Sequence, residues 1–357
     1  MTGSSTYQQD PVGGDRKVAT LTGKPAFVAR DSTGDRLLVT GATGFLGSAI
    51  VRHATSAGFK VLATARIADM TLPRVDFISA DILDASSLPK IFEGVDCVCH
   101  AAGLAHVFDA SEASKAPFHA VNAVGAENVA RVAAERGVKH FIFISSVSVY
   151  GVAACGSDEN APCHPEGSYA ESKLEAERRL VGLCQKTGMR LTILRLATLY
   201  GEEDPGNMVR LIRAIARGRF IWVGKGENLK SLLHRDDAAR ACMAVTGSSV
   251  PGIGIYNVSA PAQKMIEIVE TISRVSGKAV PSWHVPASLA LHAAKAINGL
   301  SLNRGRFGAI HTTLQKWLAD DEYSTEKLRN VFHYQTKVGL EEGIVREVAW
   351  YKARAPK

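Results

Sequence analysis

The sequence predicts an α/β protein: a doubly wound parallel sheet with a smaller α/β substrate domain at the C-terminal end. Three observations carry that prediction. Apolar strand-like runs alternate with helical patterns over residues 35–200. A glycine-rich turn joins the first of these runs directly to a helix start. A later buried run, His140-Phe141-Ile142-Phe143-Ile144, ends in serines, and the carboxyl ends of strands are where an open sheet of this kind places its chemistry.

The first element sets the rest. Leu37-Leu38-Val39-Thr40 favours a buried strand, and Gly41, Gly44 and Gly47 then recur at every third position before Ser48-Ala49-Ile50-Val51 opens a helix. Strand, tight turn and helix start form the phosphate-binding unit of a Rossmann-type dinucleotide fold. Gly41 allows the turn, Gly44 lets the backbone approach a pyrophosphate, and Gly47 lets the helix pack close to the strand. The helix N-terminus offers free N–H groups and partial positive charge to the phosphates. Gly41, Thr43, Gly44, Phe45, Leu46 and Gly47 are therefore the first cofactor-binding candidates.

Bulk composition narrows the classes. A chain of 357 residues with 46% hydrophobic and 22% charged residues builds a real core and is not disordered. Net charge +7 suits an anionic ligand, but the basic residues form no run, which argues against nucleic acid. The six cysteines show no metal-ligand spacing; with a polar, glycine-rich N-terminus lacking an apolar leader, they point to the reduced cytoplasm and to no metal. Residues 1–34 are read as a flexible arm, with an ordered strand around Ala26-Phe27-Val28 as the other reading. The apolar segment Ala287 to Leu300 carries His292 and Lys295 and is too short to span a bilayer, so it is a buried or surface-docking helix and no stable membrane insertion is expected.

In chain order, the first helix runs to about Ser56, and Lys60 to Arg66 forms the second strand. The end of that strand selects the cofactor: NAD enzymes place an acid there, whereas this chain has Ala65 followed by Arg66. An arginine pairs with a 2′-phosphate through its fork of donors, so NADP(H) is preferred, with NAD(H) the alternative. Val75 to Ile82 is the third strand and its exit, Asp84 to Phe92 a helix, Val95 to Gly103 the fourth strand and a small-residue turn, and Phe118 to Arg136 a helix. His100, at the end of a buried strand, is read as structural.

Tyr169-Ala170-Glu171-Ser172-Lys173 begins the next helix, placing Tyr169 and Lys173 one turn apart on one face. A free phenol titrates near ~10, and a neighbouring ammonium lowers that value. Tyr169 then passes a proton to or from a substrate hydroxyl while a nicotinamide exchanges a hydride with the same carbon. Lys173 also bonds the cofactor ribose, and a serine at the preceding strand end polarises the substrate oxygen. A second match by spacing, Tyr323 to Lys327, has no hydroxyl-ended strand before it and is rejected.

The spacing T-G-A-T-G-F-L-G, the segment Asn122 to Asn128, the serine-ended strand and the Tyr169/Lys173 pair together resemble the extended short-chain dehydrogenase/reductase family, which contains nucleotide-sugar epimerases, over most of residues 36–350. The resemblance makes Ser146 the catalytic hydroxyl and Ser148 a substrate contact. It sets Asp81 and Ile82 against an adenine ring, Ala101, Ala102 and Gly103 along the diphosphate and nicotinamide ribose, and Asn122 as a scaffold residue. Family dehydratases carry Asp-Glu after the catalytic hydroxyl; Val147 and Ser148 stand there, so a dehydratase is not expected.

For the second half, the resemblance implies a substrate-binding region over 201–252 and 260–357, with a late strand at 253–259 rejoining the first domain. Thr198 stands where family epimerases often have Asn on the sugar nucleotide, and Lys230 replaces the diphosphate-binding arginine. His234 and Asp237 are read as structural, and Arg210, Arg213 and Arg217 as a largely solvated helix face. The implied activity is an NAD(P)-dependent oxidoreductase or epimerase acting on a small molecule, a nucleotide-linked sugar, with a homodimer by family analogy. Two readings compete: a reductase of a hydrophobic, flavonoid-like or steroid-like ketone, with Ala287 to Leu300 lining the pocket, and a cofactor-sensing binding protein without turnover.

Overall fold

Alternation along the first strand decides the layering. In the computed structural model, which describes residues 35–67, 75–105, 115–152, 156–300, 311 and 313–354, Leu37 and Val39 enter one hydrophobic core while Leu38 enters another. That is the period of two of a strand buried on both faces. The strand, β1 (Arg36–Thr40), lies at the centre of a sheet with β2 (Lys60–Thr64), β3 (Val75–Phe77), β4 (Cys97–His100), β5 (His140–Ser146), β6 (Arg190–Leu196) and β11 (Ile253–Val258). The spatial order is β11-β6-β5-β4-β1-β2-β3, and every pairing in it is parallel. The order reverses between β1 and β4, which opens the crevice used by doubly wound folds.

Helices cover both faces. On one, α1 (Phe45–Ser56) and α6 (Arg235–Thr246) bring Ile50, Ala54, Ala238 and Cys242 onto Leu37, Val39, Cys97 and Cys99. The two cysteines share that face, as their alternation along the strand requires. On the other, α3 (Gly125–Glu135) and α4 (Ser168–Thr187) bring Val129, Ala133, Leu180 and Cys184 onto Leu38, Phe141 and Phe143. Each such large side chain withdrawn from water contributes about 1.5–3 kcal/mol.

A separate core serves the second lobe. Met208, Ile212 and Ile215 of α5 (Asn207–Ala216) meet Met265, Ile268 and Ile272 of α7 (Met265–Ser276), together with Phe220, Trp222 and Ile344. Arg210, Arg213 and Arg217 are exposed on the opposite side of α5. Short pairs tie the lobe down: β7 (Thr198–Tyr200) with β10 (Leu232–His234), β9 (Leu229–Lys230) with β12 (Gln263–Lys264), and β8 (Trp222–Val223) with β13 (His284–Val285). α8 (Ala287–Leu300), α9 (Glu326–Phe332) and α10 (Leu340–Arg354) complete the described elements. None of the described helices is long and apolar enough to cross a membrane. The arm expected over 1–34, with its alternative strand, lies outside the described residues.

Two helices differ from expectation. Residues 84–92 form two 3-10 turns, Ala85–Ser87 and Pro89–Phe92, rather than one helix. Asp84 turns its carboxylate back onto Ser86 N at 3.0 Å, and Pro89 has no N–H to continue an α-helical ladder. The helix expected from Phe118 starts earlier, as α2 (Lys115–Phe118), and is interrupted by a π-helical turn at His119–Val124 before α3. Such turns re-aim side chains and recur at functional sites; this one carries Asn122.

Glycine substitutions test how tightly the first unit is built. A Cβ at Gly47 would lie 2.0 Å from Gly41 O, whereas one at Gly182, inside α4, meets nothing within 4 Å. Gly47→Ala is expected to lower unfolding stability by about 2 kcal/mol or more, and Gly182→Ala to raise it by up to about 1 kcal/mol. Urea midpoints of the two variants read the contrast.

Candidate active site

The glycine turn and the exit of β4 are pressed together. Gly41 has φ 67°, and a Cβ there would sit 2.7 Å from Ala102 Cα. Thr40 Oγ1 holds the same junction, 2.9 Å from His100 Nδ1 and accepting from Ala102 N at 3.3 Å. Gly44 caps α1 without a side-chain hydrogen bond, no acid lies in the first helical turn, and Thr43 and Gly44 are exposed. The first turn of α1 therefore keeps its N-terminal field uncompensated beside open backbone, the cradle a pyrophosphate requires. Phe45 is half-buried with the Arg235 guanidinium 5.4 Å from its ring centroid, and Leu46 and Gly47 are buried in the helix contact.

From Ala102 the chain leads straight to the lysine. Ala101 and Ala102 are half-buried and Gly103 is exposed; a Cβ at Gly103 would come 3.0 Å from Asn122 Oδ1 and 3.3 Å from Lys173 Nζ. Asn122 accepts from Leu104 N at 2.8 Å and donates to Leu104 O at 3.0 Å and to Ser172 Oγ at 2.9 Å. The π-helical turn thus locks the β4 exit to the residue beside Lys173. His100 is fully buried against Phe141 and Phe143. Burial, and then the Lys173 charge, push its pKa down to about 3, so it is a neutral structural imidazole.

α4 carries the chemical face. Lys173 Nζ donates to Ile144 O at 2.8 Å and stands 4.9 Å from the Phe143 ring centroid. Burial pulls its pKa down to about 8, opposed by the Glu177 carboxylate. Tyr169 meets the Phe118 ring edge-on at 6.1 Å. Burial raises its phenol above the ordinary value, and the Ser146 hydroxyl at the end of β5 opposes that rise. This departs from the expected lowering by Lys173: the ammonium is turned onto a backbone carbonyl, and desolvation dominates. Ser146 Oγ also accepts from Ser148 N at 3.1 Å, while Ser148 Oγ is buried with no partner among the described residues.

A third polar group on this face, a carboxylate, was not singled out in the sequence. Glu177 continues the face one more turn past Tyr169 and Lys173, and is 3% exposed. It accepts from Ser145 Oγ at 2.5 Å and from Arg195 Nε and Nη2 at 3.1 and 2.6 Å. Arg195 lies 4.9 Å from the Tyr150 ring centroid, and Tyr150 donates to Asn257 Oδ1 at 2.8 Å. The same i+4 spacing that marks Lys173 would have marked Glu177.

Comparison with known proteins identifies the family. The model of the NAD dependent epimerase/dehydratase family matches residues 37–259. The chain is 30% identical over 320 residues to the N-acetyl-alpha-D-glucosaminyl-diphospho-ditrans,octacis-undecaprenol 4-epimerase of Escherichia coli O157:H7, covering 88% of this chain and 95% of that protein. The chain belongs to this family. It is also 34% identical over 212 residues to a UDP-glucose 4-epimerase of Vibrio cholerae, covering 56% of this chain and 65% of that protein. UDP-glucuronic acid 4-epimerase from Bacillus cereus, solved with NAD, superposes with a TM-score of 0.72 at 20% identity, over 89% of this chain and 99% of that one. As a member of the epimerase/dehydratase family, the chain is an enzyme.

The remaining candidates sit at different distances from this centre. Arg66 is exposed just past β2, its carbonyl accepting from Ser79 Oγ at 2.8 Å. Asp81 is half-buried and caps Leu83 N at 2.9 Å, and Ile82 packs under Gly125, with its carbonyl bonded to Asn128 Nδ2 at 3.1 Å. Thr198 is exposed on β7. Lys230 is a correction: its ammonium donates to Lys316 O at 2.6 Å and Ala319 O at 2.8 Å, 4.0 Å from Asp321. A cation so engaged braces the 316–321 segment rather than awaiting a diphosphate, and that segment lies too far along the sequence to have been anticipated. His234 caps α6 through Asp236 N, and Asp237 accepts from Lys337 N and Val338 N. Tyr323 of the rejected second pair stacks on Tyr150, and Lys327 lies over Tyr256.

The depressed Lys173 pKa has a measurable sign. Below about pH 8 the amine is charged in both folded and unfolded states; between about 8 and its ordinary 10.5 the folded protein releases the proton first. The unfolded chain then binds more protons, so stability rises with pH across that window. Lys173→Met is expected to be the more stable protein at neutral pH, with its advantage shrinking by about 2–3 kcal/mol from pH ~8 to ~10. Paired urea titrations at each pH measure that gap, and a flat gap would refute the assigned shift.

Proposed function

We propose that the chain is an NAD(P)-dependent oxidoreductase or epimerase acting at a carbinol or ketone carbon of a nucleotide-linked sugar. The observation that carries the proposal is that Tyr169 and Lys173 stand one turn apart on α4, with Lys173 bonded to Ile144 O of the strand that ends in Ser146 and lying beside Gly103 at the exit of β4. When bound, the nicotinamide supplies or accepts the hydride at the reacting carbon. Ser146 holds and polarises the substrate oxygen, and Tyr169 moves the proton on that oxygen. Burial keeps the resting phenol protonated, which suits it to donate when a ketone is reduced; acting as base, it relies on positive charge entering nearby. Lys173 supplies a donor to the cofactor ribose and part of that charge, and Glu177 and Ile144 O hold it in place. Phosphates fall to the turn from Gly41 to Gly47, with Asp81 and Ile82 beside the adenine and Ala101 to Gly103 beside the diphosphate and ribose.

The substrate class is supported by the relatives named above, whose printed substrates are sugars joined through a diphosphate. Val147 and Ser148, in place of Asp-Glu, favour epimerisation or net redox over dehydration. Thr198, in place of the family's Asn, and the bonding of Lys230 to backbone carbonyls support a second reading, reduction of a hydrophobic ketone. A turnover screen of nucleotide sugars against such ketones separates the two. On the cofactor, Ala65 and the exposed Arg66 support NADP(H) over NAD(H), and a preference of that kind suits an enzyme that exchanges its cofactor.

Two outcomes are expected. Tyr169→Phe lowers kcat by about 10²–10⁴-fold while cofactor affinity by calorimetry stays within about twofold; near-normal turnover in that variant would remove Tyr169 from the mechanism. NADPH binds several-fold tighter than NADH, and Arg66→Ala abolishes the difference; equal affinities in the native protein would overturn the preference.

A further inference from the structure

Two segments of the chain carry basic residues and no acid. Residues 205–226 contain Arg210, Arg213, Arg217, Arg219 and Lys225 and no acid, and residues 277–296 contain Lys278 and Lys295 and no acid. These seven residues account for the whole excess of 42 Lys+Arg over 35 Asp+Glu. All seven are exposed. The two segments meet at the β8–β13 pair, in parallel register with Trp222 opposite His284.

The same junction presents apolar surface to water. Trp222 and His284 stack at 5.3 Å, with Trp222 buried, so the preceding residues, Ile221 and Trp283, fall on the opposite face. They are 52% and 56% exposed, and Leu289, in the first turn of α8, is 61% exposed. α8 is rich in Ala and Leu, yet among its described side chains Ala294 alone is buried. Two acid-free segments that carry a Trp, aliphatic residues and several Arg and Lys have the composition of an interfacial lipid-binding face. We infer that the β8–β13 edge, with the start of α8 and the basic residues of α5, docks the enzyme onto an anionic bilayer surface. Each basic residue near such a surface strengthens attachment about fivefold, and Ile221, Trp283 and Leu289 insert among the headgroups. A second copy of the chain fits this face poorly, because two such faces would bring like charges together. The docking is peripheral, in keeping with the absence of a spanning helix among the described residues, and does not depend on which substrate the cleft takes.

The test uses the full chain and sedimented vesicles. Vesicles of phosphatidylglycerol mixed with phosphatidylcholine are expected to carry the protein into the pellet at low salt, whereas pure phosphatidylcholine vesicles leave it in solution. Trp283 is the exposed one of the four tryptophans, so fluorescence should shift to the blue with anionic vesicles. Trp283→Ser/Leu289→Ser and, separately, Arg217→Gln/Arg219→Gln should each lower the partition coefficient about tenfold or more. Native protein that stays in the supernatant without a spectral shift overturns the inference. So does partition undiminished by the Trp283/Leu289 pair, displacement from vesicles by an equal concentration of duplex oligonucleotide, or a halving of solution mass in the Trp283/Leu289 variant, which would make the face a contact between copies.

Discussion

The structure depends on one close approach, where the backbone of the glycine turn closes on itself and on the exit of β4. Gly47 has no room for a methyl group beside Gly41 O, and Gly41 has none beside Ala102. Helix α1 can start immediately after β1 only because both positions lack a Cβ. The same contact pins the exit of β4, so Gly103 arrives within reach of Lys173. A side chain at either glycine would part the phosphate cradle from the chemical face, although the two lie far apart in sequence.

The polar groups beneath that face are organised by a second constraint. Lys173 is buried, and a buried ammonium is costly unless charge and hydrogen bonds meet it. Ile144 O supplies the hydrogen bond and Glu177 the opposing charge. Glu177 is itself held by Ser145 and Arg195, which joins the helix to β5 and β6, and Tyr150 and Asn257 extend the contacts to β11. Lys173 is thus fixed by three strands of the sheet as well as by its own helix. Opening the buried Glu177–Arg195 pair from one side costs about 3–5 kcal/mol, which keeps that carboxylate in place beneath the lysine.

Local patterns were read correctly where one physical effect governed them. The glycine spacing, the apolar alternation of β1 and the i, i+4 relation of Tyr169 and Lys173 each follow from backbone geometry alone. Residues 84–92 were misread because an Asp cap and Pro89 outweighed helical periodicity. The direction of the Tyr169 shift was misread because spacing shows which groups are neighbours but not which way an ammonium points or how much water is removed.

By itself the sequence determined the doubly wound sheet, the glycine turn between β1 and α1 and the placing of Tyr169 and Lys173 on one helix face, since these rest on periodicities of two and 3.6 and on the steric demands of glycine. Tertiary structure alone decided that Lys230 braces the 316–321 segment, that Glu177 and Arg195 underlie the reactive amine, and that two acid-free segments meet at one exposed edge. Each of those facts concerns partners separated along the chain, and local pattern carries no information about which distant carbonyl, carboxylate or strand will be adjacent once the cores have closed.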